Sequence, residues 1–385
     1  MERRNAHPLA DGLARFLRPG RSNASGAREL GAGAATGSRV RRILIVKTHD
    51  QLGDFLVATP AIAALRTRFP DATIGLVVRD YLAPLARHVP GVDRLWILPR
   101  GGPAGVGAIV ATLASIAGFR PDLAFVMNSV SRSKTADLIA ALSGARAIIG
   151  RSRVGAGPLD AGPEPTLDAL YDLDLPLEAR SAHQVDRLLD LVRWTGASAA
   201  SPRMLFVLDE SERAAGRRML ANLAQEASGR GALAKRVGIH PAAANALKCW
   251  PVESFVALGV ALASDSGAGH GGGTDLFVLD TPKEPGPAHD VAQGLRARDV
   301  RAAIVPPLPL AEFAGVLSAL DLLVCNDSGV MHLAAAIGIP TVSIHSLGDP
   351  KEWAPQSERA IALRGEPIAR VSVDDVLAAA RTLLR

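Results

Sequence analysis

The stretch DLLVCNDSGVMHLAAAIGIPTV (321–342) decides the fold of this chain. Its first apolar run, 321–326, predicts a buried strand, and 329–337 predicts a helix that ends at Gly338. The apolar run that follows, 341–346, predicts a second strand. A strand, a helix and a strand in this order form a βαβ unit, in which the two strands are parallel.

The same alternation of strands and helices runs through the chain in two halves. Strands are predicted at 40–47, 73–78, 94–99, 123–128 and 147–150 in the first half, and at 237–241, 275–280, 302–307, 321–326 and 341–346 in the second. This alternation indicates an α/β fold with parallel sheets. We therefore expect ligands to bind beyond the carboxyl ends of the strands, in the cleft between the two halves.

Changes in composition mark the expected domain boundaries. Residues 1–40 are rich in Gly, Ala, Ser and Arg and predict a basic, disordered tail. Residues 41–196 and 236–385 predict the two α/β domains, and the polar segment 197–235 predicts a linker. Within the tail, 9–18 has the pattern of a short basic amphipathic helix, and both a solvated tail and a membrane-surface anchor fit that pattern.

The net charge of +5 does not indicate a nucleic-acid partner. Residues 1–42 hold nine arginines and three acidic residues, so the rest of the chain has 34 basic and 35 acidic residues. Aromatic residues make up 4% of the chain, too few for base-stacking platforms. The longest nearly uncharged stretch, 104–119, is shorter than the ~18–20 residues that span a bilayer. We therefore expect a cytoplasmic protein that binds no nucleic acid.

Two loops that follow predicted strands carry charged candidates. LGDFLVATP (52–60) places Asp54 where a loop turns into a helix, and its carboxylate fits a general base or an ordinary N-cap equally well. VGIHPAAANALKCWP (237–251) places Lys248 at the end of a strand, where it fits a phosphate contact. A solvated surface lysine is the plainer interpretation, which the scarcity of lysine, six in the chain, weakens.

The loop inside the deciding stretch is the strongest candidate for a ligand site. Asp327 or Ser328 caps the following helix, so that Gly329 and Val330 offer backbone amides to a ligand. A helix N-terminus with such amides binds a phosphate or a diphosphate. The alternative is simple capping of a buried helix, with His332 as a satisfied core histidine.

Other signals do not support a cofactor or a metal ion. GAGHGG (267–272) has the dinucleotide-binding spacing, but it precedes a strand instead of following one. Asp172 and Asp174 have the DxD spacing of metal-dependent sugar transferases, and a plain polar loop explains them better. Two cysteines cannot form a disulfide framework or a cysteine zinc site. The sequence therefore predicts no metal site and no cofactor.

The three motifs, in this order, resemble glycosyltransferase family 9, the lipopolysaccharide heptosyltransferases. The matching pieces are ILIVK…LGDFLVATPAIAALRTRFPDA, VGIHP…KCWPVESF, DLLVCNDSGVMHLAAAIGIPTV and DPKEWAP. The resemblance extends from about Arg42 to beyond Pro355. It implies the GT-B architecture, in which two Rossmann-like domains with parallel sheets face each other across a cleft. The nucleotide-sugar donor then binds the C-terminal domain and the acceptor binds the N-terminal one.

The resemblance also implies a reaction and roles for single residues. The family inverts the anomeric centre without a metal ion, and its typical donor is ADP-heptose. The family's loop aspartate corresponds to Asp54, as general base, and its loop lysine to Lys248, near the donor diphosphate. The remaining donor-binding candidates are Asp327, Ser328, Gly329, Val330 and His332.

The implied acceptor is an anionic glycolipid, because the inner core of lipopolysaccharide carries carboxylates and phosphates. Basic residues near strand ends of the first half are the candidate acceptor contacts, and a solvated basic face explains them equally well. They are Arg132, Lys134, Arg151 and Arg153. The implied location is the cytoplasm, and peripheral contact with the cytoplasmic face of the inner membrane stays open.

Two other function classes stay open. A nucleotide-sugar 2-epimerase of the same architecture needs additional acid and base residues, and it turns over its donor without an acceptor. A non-catalytic binding protein with this fold is disfavoured because Asp54 and Lys248 are both present. A nicotinamide dehydrogenase is disfavoured because the dinucleotide-binding spacing is misplaced.

Overall fold

A computed structural model gives the structure of the chain. It describes Arg28 and residues 40–49, 51–99, 105–153, 170–175, 183–228, 234–264, 273–281 and 286–385. The expected tail, with its amphipathic segment 9–18, lies outside the described residues except for Arg28 and Val40. The glycine-rich stretch 267–272 also lies outside them. The chain divides into two compact units, Met1–Pro202 and Arg203–Arg385.

The first unit is built on a parallel six-stranded sheet in the order β3-β2-β1-β4-β5-β6. The strands are β1 Arg42–Val46, β2 Thr73–Arg79, β3 Arg94–Leu98, β4 Leu123–Val126, β5 Ala147–Gly150 and β6 Leu173–Asp174. The helices are α1 Leu52–Leu56, α2 Thr59–Arg68, α3 Ala83–Ala86, α4 Val106–Phe119, α5 Lys134–Leu142 and α6 Gln184–Arg193. A short 3-10 turn, Asp80–Leu82, precedes α3.

The central strand β1 positions the first candidate site. Its apolar residues are completely buried between β2 and β4, with Val46 opposite Val77 on one side and Val126 on the other. The helical residues after this strand break at Val57, because Pro60 occupies the first turn of α2. The loop and the short helix α1 therefore lie directly beyond the carboxyl end of β1.

The second unit has a parallel six-stranded sheet in the order β12-β11-β10-β7-β8-β9. The strands are β7 Lys235–His240, β8 Thr274–Leu279, β9 Ala302–Val305, β10 Leu322–Asn326, β11 Thr341–His345 and β12 Ala360–Arg364. The helices are α7 Glu210–Ser228, α8 Val252–Ser264, α9 Pro287–Arg296, α10 Leu310–Leu317, α11 Gly329–Ile337, α12 Pro350–Trp353 and α13 Val373–Leu384. Short 3-10 turns cover Ala246–Lys248 and Ile368–Arg370.

The segment expected to be a linker, 197–235, is corrected by the structure. Most of it forms α7, which packs against α10 within the second unit. A Cβ on Gly216 of α7 would lie 2.0 Å from the carbonyl oxygen of Gly315 in α10, so the two helices touch backbone to backbone. The close approach needs glycine at this crossing, and the polar composition of α7 hid the helix from sequence analysis.

One described segment, 246–264, is long and apolar enough to cross a membrane by length and composition alone. Pro251 interrupts it, and its helical part is α8. Phe255, Val256 and Leu258 of that helix are buried in the core of the second unit. The apolar character of the segment is therefore explained by packing against the sheet.

Candidate functional site

The first group of candidate residues lies at the carboxyl edge of the first sheet, where β1 and β4 end side by side. The chain leaves β1 at Lys47, whose side chain is 1% exposed and whose Nζ donates a hydrogen bond of 2.8 Å to the carbonyl of Met127. Helix α1 then places Asp54, which is 4% exposed, near that ammonium group. A buried acid and a buried base thus lie together beyond the central strand.

Burial decides the charge states at this edge. It lowers the pKa of Lys47 from 10.5 to about 8, and the negative charge of Asp54 opposes the shift. Burial also lowers the pKa of His49 to about 4; the charge of Lys47 adds to this shift and that of Asp54 opposes it. His49 is therefore neutral at neutral pH, and Lys47 and Asp54 are the ions of the cluster.

Two buried polar atoms of the cluster have hydrogen-bonding capacity that is unused within the described residues. Oδ1 of Asp54 and Nδ1 of His49 have no hydrogen-bond partner among the described residues. The Nε2 atom of His49 lies 3.2 Å from Oγ of Ser131, which holds the imidazole against the loop after β4. A buried carboxylate oxygen without a partner is costly in a structural role and useful as a proton acceptor.

The loop after β4 supplies a further polar group. Asn128 is 1% exposed, and neither its side-chain oxygen nor its side-chain nitrogen has a partner in the described part of the chain. Thr48 and Ser133 fix the two loops to each other through hydroxyl oxygens 2.8 Å apart. Lys47, His49 and Asn128 were not among the site residues selected from the sequence, since what they contact depends on the pairing of β1 with β4.

Two of the four basic candidates have internal partners. Arg132 donates a hydrogen bond of 2.7 Å from Nε to Asp137, which is itself buried. Arg151 is buried and donates from Nη1 to the carbonyl of Arg187. The expectation that Arg151 contacts an acceptor is therefore corrected, because its guanidinium group is enclosed by the fold.

The other two basic candidates are open to solvent. Lys134, the first residue of α5, and Arg153, after β5, are both exposed. Lys134 follows the loop after β4, and Arg153 follows β5. Their role as acceptor contacts stays a prediction.

The aspartates of the DxD spacing are held by neighbouring chain segments. Asp172 accepts a hydrogen bond of 2.8 Å from the backbone amide of Ile148. Asp174 accepts hydrogen bonds from both the backbone amide and the hydroxyl of Ser152, at 2.8 and 2.6 Å. These carboxylates connect β6 to β5. Among the described residues, no group of three or more His, Cys, Asp or Glu side chains is arranged to hold a metal ion.

The second group of candidate residues lies at the carboxyl edge of the second sheet. Lys248 and Asp327, selected from separate motifs, form an ion pair with Nζ 2.7 Å from Oδ2. The carboxylate is almost fully buried, while 31% of the lysine side chain is exposed. The lysine is therefore held in place at its ammonium end and still open to an anion.

The loop that carries Lys248 is fixed by two side chains from neighbouring strand ends. The amide of Asn326 accepts a hydrogen bond of 3.0 Å from the backbone of Trp250 and donates one of 2.7 Å to the carbonyl of Pro241. Ser346 donates a hydrogen bond of 2.7 Å to the carbonyl of Leu247. These bonds span both ends of the loop, so Lys248 is presented on a rigid support.

Helix α11 begins at Gly329, two residues after Asp327. Ser328 is its N-cap residue, but its side chain makes no capping hydrogen bond and its buried Oγ has no partner among the described residues. The amides of Gly329 and Val330 fall in the first turn, where an α-helix supplies no carbonyl partners. The expected capping role of Ser328 is thus not observed, and this helix N-terminus is suited to an anion.

Two buried histidines of the second unit lie near these residues. His332, in α11, packs beside Trp353 with ring centroids 6.1 Å apart. His345, at the end of β11, lies 2.8 Å from the hydroxyl of Ser343. Burial lowers the pKa of His345, and the charge of Asp327 opposes that shift. His345 is therefore a neutral neighbour of the ion pair that the sequence motifs did not single out.

Comparison with known proteins identifies the family. The sequence profile of glycosyltransferase family 9 (heptosyltransferase) matches residues 168–374, more than half of the 385-residue chain. The chain therefore belongs to glycosyltransferase family 9, as the resemblance of its motifs predicts. It is 24% identical over 325 residues to lipopolysaccharide heptosyltransferase 3 of Escherichia coli, an alignment that covers 80% of this chain and 85% of that protein.

Solved structures agree with the fold. A family 9 glycosyl transferase from Veillonella parvula matches with a TM-score of 0.73 and 18% identity, covering 90% of this chain and 97% of that one. The ADP-heptose lipopolysaccharide heptosyltransferase II of E. coli matches with a TM-score of 0.70 and 18% identity, covering 89% and 98%. The predicted two-domain α/β fold of the GT-B class is confirmed.

Proposed function

We propose that this chain transfers a heptose from ADP-heptose to an anionic acceptor of the lipopolysaccharide core, with inversion of the anomeric centre and without a metal ion. The observation that carries the proposal is the buried carboxylate of Asp54, whose Oδ1 has no partner within the described chain and which lies beside Lys47 at the end of β1. The named heptosyltransferases with this fold support the choice of donor and acceptor.

On the acceptor side, Asp54 acts as the general base. A hydroxyl oxygen of the acceptor forms the new bond to the anomeric carbon while the bond from that carbon to the diphosphate breaks. Asp54 takes the hydroxyl proton as the new bond forms, a contribution of roughly 10²–10⁴-fold in rate. Lys47 stabilises the ionised carboxylate, and the exposed Lys134 and Arg153 attract the anionic acceptor.

On the donor side, Lys248 and the N-terminus of α11 receive the diphosphate. Negative charge grows on the leaving ADP, and a fixed cation with preorganised amides stabilises it. The pair of Lys248 with Asp327 holds the ammonium group in position before the donor binds. These groups supply the positive charge that a metal ion supplies in other sugar transferases. Asp327, Ser328 and His332 are assigned to the donor as well.

The direct test incubates the chain with ADP-heptose and a core acceptor that lacks the heptose. Release of ADP that depends on the acceptor, with an inverted anomeric configuration in the NMR spectrum of the product, is the expected result. Activity should persist in EDTA. Conversion of the donor to an epimer without acceptor would replace the proposal by the epimerase, and binding of ADP-heptose without turnover would indicate a binding protein.

The proposal also includes the location of the protein in the cell. We assign the chain to the cytoplasm, where ADP-heptose would be its donor. Fractionation of the native organism's cells should place the chain in the cytosol or on the cytoplasmic face of the inner membrane. A periplasmic location would contradict the assignment.

A further inference from the structure

Helix α4 has an unusual surface for a helix on the outside of its unit. Its sequence, VGAIVATLASIAGF, contains no charged residue. Ile116 and Phe119 are its buried residues, while Val106 and Val110 are 57% and 60% exposed. A helix that is apolar on all sides is normally covered on all sides. In the described structure α4 is covered on its inner side alone.

Helix α5 extends this surface. Leu138 and Leu142 are 48% and 36% exposed and lie one turn apart on the outer side of α5. The two helices pack against each other, and a Cβ on Gly144 after α5 would lie 3.9 Å from the carbonyl of Ala117 in α4. We call the outer sides of these helices, with Val106, Val110, Leu138 and Leu142, the apolar face.

The exposed charges on the segment that carries the apolar face are all basic. Between residues 105 and 153, which the structure describes without a gap, the exposed charged side chains are Arg120, Lys134, Arg146 and Arg153. The two acidic residues of this stretch are buried: Asp137 accepts a hydrogen bond from Arg132, and Asp122 accepts hydrogen bonds from backbone amides before β1. Asp122 also pairs with the exposed Arg146, whose Nη1 lies 3.5 Å from its Oδ1, so Arg120, Lys134 and Arg153 contribute most of the positive charge. The apolar face therefore has a basic border.

We propose that the apolar face docks on the surface of a bilayer that contains anionic phospholipids. Exposed valine and leucine side chains enter the boundary between headgroups and acyl chains, and the basic border is attracted to the lipid phosphates. The 14-residue α4 is too short to span a bilayer, so the contact is peripheral. A second copy of the chain fits less well, because a twofold interface would place the two basic borders against each other.

The apolar face also has a position that suits the reaction. α5 begins after the loop in which Ser131 contacts His49 and Ser133 contacts Thr48. One end of the face therefore lies beside the loop that leads to Asp54. On the assumption that the proposed function holds, docking here would bring the sugar of a membrane-anchored acceptor to the first site.

The test is sedimentation of the full chain with vesicles of phosphatidylethanolamine and phosphatidylglycerol, beside vesicles of phosphatidylcholine alone. The wild type should sediment with the anionic vesicles, and 0.5 M salt should release part of it. The double variant V110E/L138E should bind at least tenfold more weakly, because two acyl-chain contacts are replaced by charges. Val207, 56% exposed in the other unit, provides the matched control, and V207E should bind like the wild type.

A second variant tests the basic border. R120Q should lower partition to the anionic vesicles about fivefold, as expected for one basic residue near such a surface. Partition to phosphatidylcholine should change little. Thermal melts of all variants establish that each is folded, which the exposed positions of the substitutions favour.

Several results would overturn the docking surface. Failure of the wild type to sediment with the anionic vesicles would end the proposal. Sedimentation of V110E/L138E like the wild type would end it as well. Light scattering could instead show a wild-type dimer that binds no vesicles and that becomes a monomer in V110E/L138E. This result would assign the apolar face to contact with a second copy of the chain. Turnover of a water-soluble, deacylated acceptor tests the proposed transferase function without a membrane, and vesicle sedimentation tests the docking surface without a reaction. Face-dependent vesicle binding in a chain without transferase activity would contradict the proposed function and leave the docking surface intact.

Discussion

At the carboxyl edge of the first sheet, Lys47 and Asp54 are both buried, and Oδ1 of Asp54 has no partner among the described residues. At the corresponding edge of the second sheet, Lys248 and Asp327 are joined at 2.7 Å and the lysine is partly open to solvent. The two edges have the same parallel architecture and the same two residue types. At the first edge the carboxylate has an oxygen without a hydrogen-bond partner among the described residues, and at the second edge the ammonium group is open to solvent.

This difference assigns different chemistry to the two units. A buried carboxylate with a vacant oxygen is suited to receive a proton, since the proton satisfies the oxygen. An exposed ammonium held by a buried carboxylate is suited to receive an anion, since it is preorganised and remains cationic. We therefore expect variants of the first edge to change the rate of the chemical step, and variants of the second edge to change donor binding as well.

The largest effect is expected for Asp54→Asn. The amide keeps the shape of the side chain and cannot take the acceptor proton, so kcat should fall roughly 10²–10⁴-fold. Steady-state kinetics with saturating donor measure the loss. Asp54→Glu is the matched control, because it keeps the carboxylate and moves it by one methylene group; it should recover part of the rate. Near-normal turnover of Asp54→Asn would remove this residue from the mechanism.

A smaller loss is expected for Lys248→Ala. A charge-assisted hydrogen bond contributes roughly 1.5–3 kcal/mol, so kcat/KM should fall about ten- to a hundredfold. The loss in kcat/KM should exceed the loss in ADP affinity, because the charge of the leaving group grows in the transition state. Lys248→Arg should rescue this in part, since the guanidinium group is larger and planar. Unchanged kinetics in Lys248→Ala would make this lysine a surface residue.

The pKa of Lys47 predicts an alkaline limit to the reaction. Its folded-state pKa of about 8 means that the ammonium group beside Asp54 is present below pH 8 and lost above it. We expect kcat/KM to fall to about a tenth of its plateau value one pH unit above that pKa. Lys47→Arg keeps its charge and should abolish this limit. A pH profile of the variant that still falls near pH 8 would assign the titration to another group.

The smallest effect is expected for Gly348→Ala. Its new Cβ would lie 2.3 Å from Oδ2 of Asp327, so the carboxylate must move away from Lys248. The displaced carboxylate then no longer holds the ammonium group of Lys248 in position for ADP. If this costs about 1 kcal/mol of binding free energy, ADP binds roughly fivefold more weakly. Gly107→Ala is the control, because a Cβ there meets nothing within 4 Å in the described structure. Equal ADP affinities of the two variants would contradict the role given to the ion pair.

The elements that the sequence predicts best are those with a clear apolar period and a stop signal. The helix at 329–337 and the strand at 147–150 have the predicted bounds, since Gly338 ends the first and four buried apolar residues define the second. Helix α7 was missed because its composition is polar and its contact depends on Gly216 meeting Gly315. Strand β12 was missed because it is half-buried at the edge of its sheet.

The residues of the candidate site were also predictable only where local sequence identifies them. Asp54, Lys248 and Asp327 stand in recognisable loops, so local sequence was enough to select them. Lys47 and His49 acquire their surroundings from the loop after β4, about 80 residues along the chain. Arg151 has the charge expected of a ligand contact, and its burial against the carbonyl of Arg187 depends on where α6 packs. Contacts of this kind are set by tertiary structure and leave no local pattern.

The most direct test of the contrast between the two edges is the calorimetric affinity of ADP for Asp54→Asn and Lys248→Ala, measured beside the wild type. We predict that Asp54→Asn binds ADP within about twofold of the wild type, and that Lys248→Ala binds it several-fold more weakly, since a single charged contact is worth about 1 kcal/mol or more. Equal weakening by both substitutions, or weakening by Asp54→Asn alone, would contradict the division of chemistry between the two units.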